Sequence, residues 1–401
     1  MIDLNLIKKH KLKPPFFIYD ASLIKKQFLK LKSSLPKNFS IFYSVKANPN
    51  INILKIFKKL GTGAEISSGG ELSIVLKVGF LPKEIVFTGP GKTEEDLKYA
   101  LTKKIRLIVV ESRNEIDKIE KIARRLNIKQ DLLIRINPSF SMQDTSLVAM
   151  TGGGQKFGID EEQIFQVISR FKRFKNVNLL GIHSFPASNI FDEKLIIRNT
   201  EHLFKMVQTI ESKFKIRLPV IDIGGGMAIN YSTDSNKLFN IKILHRGLEA
   251  LINKYKFKTR KILLESGRFL IGEAGEYITR VIDRKKSCGE RFIIINGGKN
   301  HLSMATLLGT NHKVNVLNKK TASKEIVNLV GNLNTPTDFI TRTSLPKTKI
   351  GDWISIKKVG AYGLSAGMVL FSSHPYPEEY LLLGKRKLRA IGKDKNINFI
   401  L

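Results

Sequence analysis

The chain has 401 residues, 42% hydrophobic and 8% aromatic, enough to bury a sizeable core over two or three domains. It carries 68 Lys and Arg against 35 Asp and Glu, a formal net charge of +33, and one cysteine, Cys288. A single cysteine excludes an intrachain disulfide and a cysteine zinc site, and no apolar run is long enough to span a bilayer. The N-terminus lacks the apolar core of a signal peptide, so a reducing cytoplasm is the expected location. The basic residues lie in short clusters, as at 170–175 and 385–389, with no zinc finger, RRM or other nucleic-acid module beside them. The charge has two readings: a lysine-rich background solvated over many faces, or long-range attraction of a polyanionic partner.

The first apolar run, Pro15-Phe-Phe-Ile-Tyr19, reads as a strand. From about residue 38, strand-like and helix-like segments alternate over short connections. Strands are expected at 40–46, 63–66, 84–88, 106–111, 131–136, 178–184, 219–223 and 261–265. Between them lie amphipathic patterns such as Glu115-Ile-Asp-Lys-Ile-Glu-Lys-Ile-Ala-Arg-Arg-Leu126, with Ser112 and Glu115 at capping-box spacing. Eight β/α units in series predict an α/β fold with a parallel (β/α)8 TIM-like barrel. A doubly wound open sheet stays the alternative, because counting units does not establish closure. After about residue 270 the rhythm changes to short β-rich segments around 277–282, 291–295, 325–330 and 353–356, separated by Gly or Pro. They predict a C-terminal antiparallel β domain, which the strand near residue 16 can join. The expected division is 1–37 as an N-terminal segment of the β domain, 38–270 as the barrel and 271–401 as the β domain, its tail after about Leu383 loosely held.

Lys46 ends the first barrel strand, in Ile41-Phe-Tyr-Ser-Val-Lys-Ala-Asn-Pro49. In apolar surroundings its charged form is disfavoured and the amine becomes a nucleophile; the ordinary reading is a lysine snorkelling out of a strand end. In a (β/α)8 barrel the carboxyl ends of the strands build the active site, often with phosphate bound after strands seven and eight. Arg135 ends strand five, His183 ends strand six, Gly224, Gly225 and Gly226 follow strand seven, and Glu265-Ser-Gly-Arg268 closes strand eight. All of them face one rim. A triple glycine alone is more often a tight bend than a ligand site. Followed by Gly267 and Arg268 it reads as a phosphate cradle, with backbone N–H groups and a bidentate guanidinium. Glu265 reads either as a rim salt-bridge partner or as a carboxylate that holds a protonated pyridine nitrogen. His183 is expected to be a satisfied rim or core histidine rather than a catalyst.

These residues carry a resemblance. Tyr43-Ser-Val-Lys-Ala-Asn48, Asp222-Ile-Gly-Gly-Gly226, Glu265-Ser-Gly-Arg268 and Gly360-Ala-Tyr-Gly363 resemble, in unbroken order over about residues 14–385, the fold-type III pyridoxal-phosphate (PLP) decarboxylases. That family includes the diaminopimelate, ornithine and arginine decarboxylases. The resemblance implies that Lys46 holds PLP as a Schiff base and that Glu265 pairs with the pyridinium nitrogen. It implies that Gly226, Gly267, Arg268, Ser188 and Tyr362 bind the phosphate, that Arg135 lies near the ring, and that a homodimer completes shared sites. Met150-Thr-Gly-Gly-Gly-Gln-Lys-Phe-Gly-Ile-Asp160, Gly181-Ile-His-Ser-Phe185 and Ser373-His-Pro-Tyr-Pro-Glu378 resemble a narrower subgroup of BtrK-like and exosortase-associated decarboxylases. BtrK acts on glutamate held on an acyl carrier protein. In that subgroup Phe185 takes the place of a histidine stacked on the cofactor ring.

The departures from the family are specific. Gly331-Asn-Leu-Asn-Thr-Pro-Thr-Asp338 puts Asn334 where the family has a cysteine associated with reprotonation of the substrate carbon, and an amide is a poor acid. Thr335 stands where ornithine-type enzymes place an acid for the distal amine, and Asn296 replaces another family aspartate. Ser266 replaces the usual proline. Asn296, Asn334, Thr335 and Asp338 are the expected substrate-facing residues. Without the two carboxylates a cationic distal amine lacks a charged partner, which lowers ornithine, lysine and diaminopimelate as substrates. The expected activity is PLP-dependent removal of the α-carboxylate of an amino-acid moiety, giving an amine. Its substrate is expected free or tethered to an acidic carrier protein or a nucleotide-bearing conjugate, with no resident metal. Two alternatives stand beside it: decarboxylation-dependent transamination giving an aldehyde, and a binding or regulatory protein that keeps the fold.

Overall fold

The computed structural model describes residues 4–139, 152–232, 237–302, 312–319, 323–384 and 386–392. Met150 and Thr151 of the subgroup-like segment, Lys385 of a basic cluster and the tail from 393 onward lie outside the described residues. The chain divides into two compact units, one of Met1–Gln27, Ile229–Lys237 and Arg268–Leu401, the other of Phe28–Ala228 and Leu238–Gly267.

The second unit is the barrel. Its eight strands are Phe39–Ser44, Gly63–Ile66, Ile85–Phe87, Leu107–Val110, Gln130–Asn137, Val177–His183, Val220–Asp222 and Lys261–Ser266. Each is parallel to the next, and the eighth pairs with the first, Ile262 opposite Phe39 and Ser266 opposite Tyr43. That closure decides against the open sheet. Phe42, Val86, Leu107, Val109, Leu133, Val220 and Leu263 form one buried cluster. They come from strands all around the ring, so they can meet only inside it, in the manner of a filled barrel. Strand two opens on glycine because of this filling: a Cβ on Gly63 would lie 2.3 Å from the Phe42 ring.

The helices between the strands start on local signals. Ser68, Thr93, Ser112, Asp192 and Asn240 accept backbone N–H groups at N-caps. Ser112 Oγ accepts from Glu115 N at 3.1 Å, as its spacing predicts. The Glu115 carboxylate does not complete the box at Ser112; it accepts from Glu111 N and Lys92 Nζ, each at 2.7 Å. A buried lysine and a strand-end amide outcompete the cap.

The other unit is a β sheet. Phe16–Asp20 lies antiparallel to Gly275–Ser287 and parallel to Glu378–Leu383. Glu290–Ile295, Val314–Val316, Lys324–Val330, Phe339–Pro346, Trp353–Lys357 and Lys387–Ala390 complete it, and most pairings are antiparallel. Phe16, Ile18, Ile278 and Leu382 pack with Leu6 and Ile7 of the first helix. The N-terminal strand is therefore built into the β unit, as expected. Among the described residues no helix is long and apolar enough to cross a membrane.

Candidate active site

Parallel register levels the strand ends, so chemistry falls at one height around the ring. Arg135 is opposite His183, His183 opposite Asp222, Ser44 opposite Glu65, and Ser266 opposite Tyr43. Lys46 follows in the short 3-10 turn Val45–Ala47. Its Nζ lies 2.8 and 3.0 Å from the two oxygens of Glu65, which is fully buried and also accepts from Thr88 Oγ1. Burial acts to raise the Glu65 pKa, but the charge and hydrogen bonds of Lys46, with Thr88 and Ser44, outweigh it and hold the carboxyl below its ordinary range. This corrects the expectation of apolar surroundings for Lys46: the amine is gripped by a buried carboxylate, and its side chain is 43% exposed.

Three buried groups stand across the rim. His183 Nε2 is 3.7 Å from Glu265 Oε1, and one ligand-type atom each of His183, Asp222 and Glu265 lie within 4.8 Å of one another. Asp222 accepts Gly224 N–H at 3.0 Å through Oδ1. Burial, and then the charge of Glu265, push the Asp222 carboxyl well above its usual range. Both nitrogens of His183, Oδ2 of Asp222 and Oε1 of Glu265 are buried with no hydrogen-bond partner among the described residues. His183 is thus buried as expected, but among the described residues neither ring nitrogen makes a hydrogen bond. Unpaired buried polar atoms are costly unless a ligand completes them. Sequence reading passed over Asp222 and Glu65; the available signal was an acid interrupting a buried apolar strand.

The triple glycine is held by packing. A Cβ on Gly225 would lie 1.9 Å from the Glu265 carbonyl oxygen, one on Gly226 2.2 Å from the Ala187 oxygen, and one on Gly224 2.6 Å from the Ser184 oxygen. Gly224 and Gly226 have φ of 62° and 99°. The loop after strand six is stitched to this turn: Ile190 N donates to Gly226 O at 2.7 Å and Ala228 N to Ile190 O at 3.0 Å. That brings the backbone around half-buried Ser188 beside Gly226, and sets Phe185 against Gly224. Gly267 passes close to the Lys46 turn, where a Cβ would lie 2.7 Å from the Ala47 methyl. Arg135 is not idle on the rim. Glu111 takes its Nη1 at 3.1 Å, and Phe157 lies 4.6 Å under the guanidinium.

In the β unit, Arg268 Nη1 donates to Tyr231 OH at 2.7 Å, and its guanidinium lies 4.8 Å over the Tyr362 ring. Asn334 is exposed, and Thr335 Oγ1 is 3.0 Å from Thr337 Oγ1. Asn296 directs Nδ2 to Pro14 O at 3.4 Å. Asp338 departs from its expected substrate-facing place. It is buried, Lys299 N donates to Oδ1 and Leu333 N to Oδ2, each at 2.7 Å, so its carboxylate ties two loops together.

The residues fit a phosphorylated pyridine. Glu265 and Asp222 offer buried carboxylate oxygens to which a pyridine nitrogen could turn, and the glycine turn leaves no side chain in the way.

The chain belongs to the pyridoxal-dependent decarboxylases: residues 21–272 match the family's pyridoxal binding domain. It is therefore a PLP-dependent amino-acid decarboxylase of the fold-type III class, a carboxy-lyase, with a TIM barrel and a β domain. It is similar to the L-glutamyl-[BtrI acyl-carrier protein] decarboxylase of Niallia circulans, 31% identical over 92% of this chain and 88% of that one. It is also similar to 2-[(L-alanin-3-ylcarbamoyl)methyl]-2-hydroxybutanedioate decarboxylase of Staphylococcus aureus, 31% identical over 90% of this chain and 92% of that one. The crystal structure of diaminopimelate decarboxylase from Helicobacter pylori complexed with L-lysine superposes with a TM-score of 0.88, 30% identity and coverage of 96% and 95%.

Proposed function

We propose that this decarboxylase removes the α-carboxylate of an amino-acid moiety borne on a larger anionic conjugate, foremost an acyl carrier protein, and releases an amine. The observation that carries the reading is the rim itself: Lys46, gripped by Glu65, follows strand one, and His183, Asp222 and Glu265 form a buried group at the ends of strands six, seven and eight, the last of which closes on strand one. Substrate class is supported by Asn296, Asn334 and Thr335, which offer no carboxylate to a distal ammonium, by the net charge of +33, and by similarity to decarboxylases named for conjugated substrates.

The proposed roles rest on this rim together with the family resemblance. Lys46 would hold the cofactor, and Glu65, which grips its amine, would balance the ammonium charge whenever that amine is free. Glu265, with Asp222 beside it, would pair with the pyridine nitrogen, and His183 borders them. By the family resemblance Gly224, Gly225, Gly226, Gly267, Ser188, Arg268 and Tyr362 would bind the phosphate, and Arg135, fixed by Glu111, lines the rim. The bound cofactor supplies an electron sink for the pair left when CO2 departs. Asn334 orients the water or neighbouring group that returns a proton to the substrate carbon. Asn296 and Thr335 border the substrate. The active form is a homodimer in the cytoplasm, a compartment suited to an exposed free Cys288; sedimentation analysis reads its stoichiometry.

The test is a panel of free and carrier-tethered amino acids, scored for released CO2 and for amine against aldehyde. CO2 with amine from tethered glutamate or a related moiety is the expected result. Aldehyde would mean that the proton goes to the cofactor instead of the substrate carbon. Lys46→Ala is expected to lose both the visible absorbance of bound cofactor and CO2 release; retention of both would overturn the assignment.

A further inference from the structure

We propose that His312 is an additional ligand of the phosphate held at Arg268 and Tyr362, and that it gains a proton when the phosphate binds. The inference rests on reading Arg268 and Tyr362 as a phosphate cradle.

His312 precedes the strand Val314–Val316 and is 3% exposed. Its Nδ1 is 2.8 Å from the Lys357 carbonyl oxygen. A carbonyl only accepts, so Nδ1 carries the hydrogen and the neutral ring keeps its lone pair on Nε2. Nε2 is buried and has no hydrogen-bond partner among the described residues. The ring stands edge-on to Tyr231 at 4.9 Å, and Tyr231 OH is the acceptor for Arg268. Tyr231, Arg268, Leu302, His312, Tyr362 and Gly363 line one small recess, with a cavity volume of about 10 Å³, that opens to solvent. Nothing in the family resemblance gives His312 a part in it, yet it contributes the recess's unsatisfied acceptor.

The charges around the ring explain its resting state. Burial, then the cations Lys358 and Arg268, pull His312 down to about 4, against the opposing bond to the Lys357 carbonyl. Lys358 Nζ donates to the Asn230 carbonyl, the Lys357 amine pairs with Glu276, and the phenols of Tyr231 and Tyr362 complete the titratable groups on this side. No carboxylate among the described residues faces the imidazole. A phosphate monoester carries nearly two negative charges above its second pKa of about 6. Its oxygens cannot approach a lone pair, but they can approach an imidazolium N–H, and their charge favours that form. The proton comes from solvent, and no bond other than N–H is made or broken.

The test uses the full chain and 4-deoxypyridoxine 5′-phosphate, an aldehyde-free phosphate ester that forms no bond to Lys46. Calorimetric titration at about pH 8, in two buffers of different ionisation enthalpy, counts protons taken up. The wild type is expected to take up about one proton more than His312→Gln and to bind about tenfold tighter or more. Equal uptake and equal affinity would overturn the proposal while leaving the cradle intact. Failure of the wild type to bind the ester would overturn the cradle reading, and the proposal with it. The wild type alone supplies a second readout should His312→Gln fail to fold. With ¹⁵N-labelled histidine, one buried Nε2 signal moves from the unprotonated to the protonated range on adding the ester, and its staying put would refute the proton gain.

Discussion

Glu71 is the acid whose titration the rim most visibly controls. It sits on the helix Gly69–Val78, and its carboxylate accepts Ser67 N–H at 2.6 Å. Burial, then the charge of Glu65, raise its pKa to about 7, against the Ser67 bond and the charge of Lys46. The folded state therefore prefers Glu71 protonated, whereas the unfolded chain titrates near 4.5. The stabilisation is fully present below that unfolded value and is lost as pH rises through about 7. Comparing denaturant midpoints at about pH 5 and about pH 8, wild type is expected to lose up to about 3 kcal/mol relative to Glu71→Gln, which keeps an oxygen for Ser67. Parallel pH profiles for the two proteins would show that Glu71 is not the group. Lys46 was legible at this scale as a lysine at a strand end. Its partner was not, because Glu65 is 19 residues away and only the register that sets Ser44 opposite Glu65 brings it within 2.8 Å.

At the scale of elements, the turn after strand seven and the loop after strand six are one device. Each glycine there is adjacent to a carbonyl of a different segment: Ser184, Glu265 and Ala187. Gly225→Ala would put a methyl 1.9 Å from a backbone oxygen that cannot swing away, since Glu265 N is itself bonded to Gly224 O at 2.8 Å. The expected outcome is a loss of about 1–3 kcal/mol in stability and weakened cofactor binding, read by thermal melting and by cofactor absorbance. Unchanged binding and melting would show that the turn yields freely. The three glycines and the eight strands could be read from spacing and composition. The reason for the glycines could not, because the carbonyls they avoid come from two other elements. Asp338 makes the same point in the β unit: its motif suggested a substrate contact, and its two backbone donors, Lys299 and Leu333, come from separate loops.

For the whole molecule the dominant quantity is charge. An excess of +33 on 401 residues sets up an attractive field for an acidic carrier, and salt screens such a field over about 8–10 Å. With a carrier-tethered substrate, kcat/KM is expected to fall about tenfold between low and physiological ionic strength, while turnover of a free amino acid changes little. Equal salt dependence for both would assign the charge to the background composition instead. The sequence by itself determined the alternation of strands and helices, the N-terminal strand of the β unit, the strand-end lysine Lys46 and the glycine turn, because each is written in local period or residue type. Only the tertiary structure decided that the sheet closes, that Lys46 is held by Glu65, that His183, Asp222 and Glu265 share a buried corner, and that His312 reaches the recess of Arg268. Those relations join residues far apart in the chain, and parallel register and packing, rather than any local preference, bring them to one place.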